Sequence, residues 1–417
     1  MSLKLGNDDV AKVMLGGQEV SAIYKGVDEV WSTGGSGKPI ENISDAFSTY
    51  LYRGTGAAQD IENGVDLDGG DGMVWIKNRS AARDHSLYDT ERGAGQRLRS
   101  NGTEQSNSYP DTLSSFNSDG FSLGADGSQF VNNSGEDYAS WTFRKAPKFF
   151  DVVTYTGDGS VTGNAVQHNL GVKPGAIWVK RLDSTGPWIA MHRDSNSNKW
   201  FFSQSNPDKD FGLNTTNIAK LDAPLYAEIT DTSFQPGGLY GQSPNVRPDK
   251  ANASGGEYVA YLFAHDDSDE SLIKCGSYKG NKSTDGPEID LGWQPQWLLF
   301  KSATTADAWT IFDAARGIIT GGGDPYLMPD NSGAEIPGQQ CVDLMPTGFK
   351  IANKNNFLNG SGEDYIYMAI KADPNFRMPP EWEQMNQEVA EKIARRDAAK
   401  EAITEKVKDS KDIKDDG

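Results

Sequence analysis

Apolar positions along the chain come in short runs rather than in helical stripes. Val74-Trp75-Ile76, Ile177-Trp178-Val179 and Leu298-Leu299-Phe300 are each closed by a lysine, at Lys77, Lys180 and Lys301. Asp151-Val152-Val153-Thr154-Tyr155, Gly120-Phe121-Ser122-Leu123 and Gly348-Phe349-Lys350-Ile351 are β-branched or aromatic runs bounded by turn residues. Such runs predict strands. The order of signals recurs three times. A tyrosine-any-glycine turn opens each copy, at Tyr52-Arg53-Gly54, Tyr155-Thr156-Gly157 and Tyr278-Lys279-Gly280. The lysine strand follows, and twelve residues after each lysine stands Asp89, His192 or Asp313. A glycine-acid turn and a tyrosine strand close each copy, at Gly135-Glu136-Asp137-Tyr138, Gly255-Gly256-Glu257-Tyr258 and Gly362-Glu363-Asp364-Tyr365. Triplication favours a modular structural or binding protein over a single-site enzyme.

These signals predict a mainly β protein of three tandem β-sandwich repeats, lectin-like or jelly-roll-like, over residues 46–150, 151–272 and 273–373. Ahead of them, residues 1–33 carry a second repeat of period ten, with glycine at Gly6, Gly16 and Gly26 and valine at Val10, Val20 and Val30. It reads as a small attachment module of short strands separated by glycine turns. Thirty residues bury too little surface to stand alone, so this module is expected to fold against copies of itself or a partner. Residues 34–45 read as a linker, flexible through Gly34-Gly35-Ser36-Gly37. Residues 374–417 differ: after Pro379-Pro380, the stretch from Glu381 to Lys408 lacks glycine and proline and predicts a charged C-terminal α-helix. Met385, Val389 and Ile393 form a narrow stripe on it.

Composition changes this picture little. The net charge of −19 argues against nucleic acid, which needs basic patches, and against anionic membrane surfaces. No apolar run is long enough to insert in a membrane, and the N-terminus lacks a secretory apolar segment. Cys275 and Cys341 are the two cysteines, and reduced thiols in a protein made in the cytoplasm are expected rather than a disulfide.

Candidate chemistry is sparse. The Glu-Asp pairs of the closing turns invite comparison with sugar hydrolases, but adjacent strand residues point to opposite faces and do not flank one bond. Asp66-Leu67-Asp68-Gly69-Gly70-Asp71-Gly72 has calcium-loop character, yet Lys77 occupies the twelfth position and the matching stretches of the other copies are plain turns. The four histidines lack metal-ligand spacing, and no nucleophile–base set is visible. No enzyme activity and no cofactor are therefore expected. Each lysine and the residue twelve positions on are expected to meet across a hairpin as a weak cross-strand contact. Trp188, Trp309, Trp200 and Trp293 are the candidates for stacking on sugar rings, with core filling as the competing role.

The N-terminal stretch Leu15-Gly16-Gly17-Gln18-Glu19-Val20-Ser21-Ala22-Ile23-Tyr24 resembles the glycine-valine repeats that open tailed-phage fibre and baseplate proteins. The large module, through Ile289-Asp290-Leu291-Gly292-Trp293-Gln294-Pro295-Gln296-Trp297, Trp309-Thr310-Ile311-Phe312-Asp313-Ala314-Ala315-Arg316-Gly317 and the turns quoted above, resembles a repeat of virion proteins from marine and cyanobacterial phages. The resemblance implies a virion structural protein and no catalytic residues. The expectation is a tail fibre or spike-like appendage, made in the host cytoplasm and released by lysis. It would be a homotrimer joined to tail, baseplate or neck proteins and would bind host surface polysaccharide. A head or neck decoration is the alternative, and a glycan-degrading spike a third reading.

Overall fold

The computed structural model describes residues 42–160, 163–193, 228–236, 251–268, 270–318 and 321–373 in full; elsewhere it describes only the backbone of short strands at 4–5, 8–9, 13–15, 18–20, 22–25, 28–32, 200–202 and 219–221 and of residues 249–250. Each copy contributes four principal strands. In the first they are β1 (Phe47–Arg53), β2 (Gly72–Asn78), β3 (Ser86–Asp89) and β4 (Asp137–Arg144). In the second they are β5 (Phe150–Thr156), β6 (Pro174–Arg181), β7 (Trp188–Arg193) and β8 (Glu257–Ala264). In the third they are β9 (Ile273–Lys279), β10 (Pro295–Ser302), β11 (Thr310–Asp313) and β12 (Asp364–Lys371).

The sheet orders are β3-β2-β4-β1, β7-β6-β8-β5 and β11-β10-β12-β9, with two further strands beyond β7 in the second copy. The three copies therefore share one antiparallel topology, in which the first strand pairs with the last and each copy closes on itself. Smaller sheets lie over the first and third, built from Gln59–Glu62, Leu113–Asn117 and Gly120–Leu123, and from Glu288–Asp290, Val342–Met345 and Gly348–Ile351. In the second copy the described counterpart is Val166–Gln167 paired with Ser233–Phe234. The mainly β, sandwich-type fold expected from the strand pattern is the fold observed.

Both faces of the principal sheets are buried. Along β2, Val74 and Ile76 point into the first copy's own sandwich with Phe121, Leu123 and Tyr138. Met73 and Trp75 point the other way, into a core shared by all three copies. That shared core holds Trp75 and Trp141 from the first copy, Trp178 and Phe263 from the second, and Trp297 and Met368 from the third. The rings interlock: Trp75 meets Trp178 at 6.0 Å, Phe143 meets Phe263 at 5.8 Å, and Phe47 meets Trp297 at 6.2 Å. Strands buried on both faces read as continuous apolar runs, which is what the lysine strands are. A buried tryptophan removes roughly 150–250 Å² from water, about 4–6 kcal/mol of transfer free energy at ~25 cal/mol/Å². The three copies are thus one packed body, not beads on a string.

Four expectations meet the structure here. Lys77 does not pair with Asp89: the register sets Asp89 opposite Met73, so the lysine lies four residues, about 14 Å, further along the strand. The same offset separates Lys301 from Asp313, which faces Trp297. The linker ends earlier than expected, because Ile43–Asp45 form a 3-10 turn capped by Asn42, and Ile43 is buried in the shared core. At the N-terminus the period-ten segment forms three two-stranded antiparallel pairs, Lys4–Leu5 with Asp8–Asp9, Val13–Leu15 with Gln18–Val20 and Ala22–Lys25 with Asp28–Ser32. Val20 and Val30 fall on these strands, whereas Gly6, Val10, Gly16 and Gly26, like the expected helix over 381–408, lie outside the described residues.

Candidate functional site

Two sets of repeated residues carry the polar chemistry of the body: the turn ends and the seams between copies. At each turn end the opening and closing tyrosines stack, with ring centroids 5.1 Å apart in Tyr52–Tyr138, Tyr155–Tyr258 and Tyr278–Tyr365. The opening hydroxyls donate to Val131 O, Ala251 O and Leu358 O, each at 2.7 Å. The closing hydroxyls accept from the amides of Asn133, Ala253 and Gly360 at 2.9, 3.0 and 2.7 Å. The glycine after each opening tyrosine has no room for a side chain: a Cβ on Gly54, Gly157 or Gly280 would lie 2.1–2.2 Å from a carbonyl oxygen of the facing loop. Gly135, Gly255 and Gly362 hold φ of 82°, 73° and 74°, the left-handed region that glycine enters without penalty.

A buried asparagine underlies each turn end and was not singled out from the sequence. Asn132, Asn252 and Asn359 are 0–1% exposed. Their Oδ1 atoms accept from Thr55 N, Asp158 N and Asn281 N at 2.8, 3.0 and 2.7 Å. Their Nδ2 atoms donate to carbonyls, for example Gly124 O, Ser160 O and Asn353 O. The signal was present in the sequence. Asn-any-Ser-Gly-any-acid-Tyr stands at 132–138, 252–258 and 359–365.

The seams follow a cyclic rule. The residue twelve positions after the lysine of one copy meets the closing strand of another. Asp89 of the first copy accepts from the Tyr261 hydroxyl of the second at 2.6 Å. Asp313 of the third accepts from Trp141 Nε1 of the first at 3.0 Å. His192 of the second places Nε2 2.8 Å from Tyr367 O of the third, beside Met368. Trp141, Tyr261 and Met368 are equivalent positions, each three residues after a closing tyrosine. A carboxylate is used where the partner is a donor, and histidine where the partner side chain is methionine and only a backbone carbonyl is offered. Arg92 and Arg316 complete the acidic seams through Nε contacts of 2.6 Å to Asp89 and Asp313. Trp141 lies 5.5 Å beneath the Arg316 guanidinium.

The loops after β3 and β11 carry the seam further. Lys77 Nζ donates to Ser332 O of the third copy at 3.2 Å, and Lys180 Nζ to Thr103 O of the first at 3.2 Å. Burial pulls the Lys77 and Lys301 ammonium groups down to about 8. Arg79 of the first copy forms a two-bond pair with Glu335 of the third, at 2.9 and 2.8 Å. Trp188 Nε1 donates to Arg99 O of the first copy at 2.8 Å. In the first copy its place is taken by His85, whose Nδ1 accepts from Trp75 Nε1 at 2.9 Å and whose Nε2 faces Met328 O of the third at 3.0 Å. Those partners require a neutral ring with its proton on Nε2.

Burial, with the charge of Lys77 adding to it, holds His85 well below the usual histidine value of 6.5. The unfolded chain therefore takes up a proton below about pH 6.5 that the folded chain refuses, and stability is lost as pH falls from there toward the folded value. Asp330, which burial raises to about 7, works in the opposite sense, since its neutral form is the one favoured on folding. A difference measurement separates the two. His85→Gln is expected to flatten the wild-type decline in urea midpoint between pH 7 and pH 5; an unchanged slope would refute the assignment.

The tryptophans proposed for glycan stacking are not on a surface. Trp188 is 0%, Trp309 3% and Trp293 5% exposed, so none offers a ring face to a ligand. Trp200 lies on the strand Trp200–Phe202, of which only the backbone is described. A cleft of about 470 Å³ runs beside β5, with Tyr155, Asn164 and Gln167 along it. Its acid, Glu91, pairs with Lys145 at 2.9 Å. Cys275 and Cys341 are free and buried, and burial raises both thiols to about 12. Among the described residues no group of three or more His, Cys, Asp and Glu side chains is placed to hold a metal ion, and no helix is long and apolar enough to cross a membrane.

Comparison with known proteins adds a family. The model of the family described as a domain of unknown function (DUF7483) matches residues 42–374. No curated protein matches. A solved chain described as "Crystal Structure of the STIV MCP" aligns with 53% of this chain and 95% of its own, at 8% identity and a TM-score of 0.18. That superposition is too loose to define a common fold.

Proposed function

The chain belongs to the DUF7483 family, and on that premise we propose that it is a structural component of a tailed-phage particle, most economically a tail fibre or spike-like appendage. One observation carries the reading: the buried charged and aromatic groups that recur from copy to copy are spent on holding three sandwiches against one core. The period-ten sequence at the N-terminus supports it, through its resemblance to the openings of fibre and baseplate proteins. The body is closed within a single chain, because each copy already meets the other two. Contact with host polysaccharide, if the appendage makes it, falls to exposed loops and not to Trp188, Trp293 or Trp309. The test is immunogold labelling of purified particles with antibody raised to residues 42–373. Labelled tails or fibres are the expected result; gold confined to the head would replace the appendage by a decoration, and unlabelled particles would end the proposal.

A further inference from the structure

One cross-strand position carries a tyrosine ring in two copies and none in the second. Two residues before each opening tyrosine stand Tyr50, Val153 and Gly276; two residues after each closing tyrosine stand Ser140, Ala260 and Tyr367. The register sets them opposite one another, as Tyr50–Ser140, Val153–Ala260 and Gly276–Tyr367. The first and third copies thus supply the ring from opposite strands. Tyr50 packs against the first copy's own core, and Tyr367 lies in the third copy's, 5.3 Å from Phe349. Gly276 leaves the room for it, since a Cβ there would collide with the Tyr367 ring. The second copy has only valine and alanine in the pair. Its Val153 is half-buried and lines the cleft of about 470 Å³ beside β5. That volume falls in the range of roughly 300–1,000 Å³ found for small-ligand sites.

We infer that this cleft is a sugar site, taking a neutral pyranose unit where the other copies place a tyrosine ring. A pyranose is a six-membered ring close to a phenol in size. Its C–H faces suit the apolar part of the lining, Val153, Val166 and Pro236. Its rim of hydroxyls suits the exposed side chains of Thr154, Asn164 and Gln167, which both donate and accept hydrogen bonds. A wholly apolar ring would leave those groups without a match. An anion would meet the Glu91 carboxylate in a chain of net charge −19. The walls are set in advance, because the Tyr155 hydroxyl is bonded to Ala251 O at 2.7 Å and the Asn252 amide to Ser160 O at 2.9 Å. The inference rests on the appendage reading for the source of the sugar, host surface polysaccharide, and gives that contact a place in the body.

The purified full chain is tested on a printed array of neutral and acidic oligosaccharides, and the best neutral ligand is then titrated by saturation-transfer NMR. Retention of neutral hexose or N-acetylhexosamine oligomers is expected. Val153→Tyr sets the first copy's ring into the cleft and should weaken binding about tenfold or more. Gln167→Ala changes an exposed side chain and should weaken it about threefold or more, with the urea midpoint unchanged. An array that retains no neutral glycan, or acidic glycans only, overturns the inference. So does wild-type affinity in folded Val153→Tyr; if that variant loses its fold, wild-type affinity in Gln167→Ala overturns it instead. Binding of N-acetyltyrosinamide without any glycan would replace the sugar by an aromatic side chain of a partner protein. Labelled tails on a chain that binds no sugar would end this inference alone, whereas a sugar-binding chain on unlabelled particles would end the particle assignment and leave the cleft.

Discussion

Asp313→Ala should lower the free energy of unfolding by about 3–5 kcal/mol, the usual cost of removing one partner from a buried ion pair. Asp313 and Arg316 have side chains 0% exposed. The carboxylate accepts from Arg316 Nε at 2.6 Å, from Arg316 N at 2.9 Å and from Trp141 Nε1 at 3.0 Å. Its loss leaves the guanidinium with Glu335 at 3.2 Å and Ile311 O at 3.0 Å, and leaves the Trp141 indole without its acceptor in a site water does not reach. An unpaired buried donor costs about 1–3 kcal/mol by itself. Asp89→Ala should behave alike, because Arg92 and Tyr261 stand there in the places of Arg316 and Trp141. Urea titration followed by tryptophan fluorescence measures both. A loss under about 1 kcal/mol at either site would mean that the seams are bystanders and that the aromatic core alone joins the copies.

The strands and turns of this protein are written locally. Val74-Trp75-Ile76 and its counterparts announce buried strands, and the tyrosine and glycine positions mark real turn ends whose hydrogen bonds repeat almost atom for atom. Gly54, Gly157 and Gly280 are legible for the same reason, since the close approach of a facing carbonyl forbids a side chain whatever the rest of the chain does. The joining of the copies is not local. The same pattern that makes a sandwich strand also makes a strand buried on both faces, and only the second strand face, carrying Trp75, Trp178 and Trp297, distinguishes them.

For that reason Trp188 and Trp309 could be read as surface rings when they are seam and core residues. Asp89, His192 and Asp313 stand out by their spacing, but their partners do not. Spacing alone points to a partner within one hairpin, whereas the true partner lies 172–175 residues away in sequence. The sequence does contain the clue. Acid, histidine and acid at one position correspond to tyrosine, methionine and tryptophan at Tyr261, Met368 and Trp141. The correspondence becomes visible only when the copies are compared in cyclic order rather than one by one.

That correspondence makes the last prediction, a transplant of one seam's chemistry into another. His192 is 4% exposed, and its two ring nitrogens face Arg193 O at 2.7 Å and Tyr367 O at 2.8 Å. Both neighbours are acceptors. His192→Asp would set a carboxylate, itself only an acceptor, against two carbonyl oxygens in a buried site, and is expected to cost about 3 kcal/mol or more. Met368→Tyr in that background supplies the hydroxyl that Tyr261 gives Asp89, and should return about 1.5–3 kcal/mol, the worth of a hydrogen bond to a charged group. The restoration should stay incomplete, because Ser195 stands where the other copies have Arg92 and Arg316. Met368→Tyr alone, facing His192, should not stabilise. The four proteins form a double-mutant cycle in which the coupling between positions 192 and 368 is read directly from urea midpoints. Additivity within about 0.5 kcal/mol would show that the acid–donor match between copies is coincidence; coupling of the expected sign would show that the identity of the residue twelve positions after each lysine is chosen by the copy it meets.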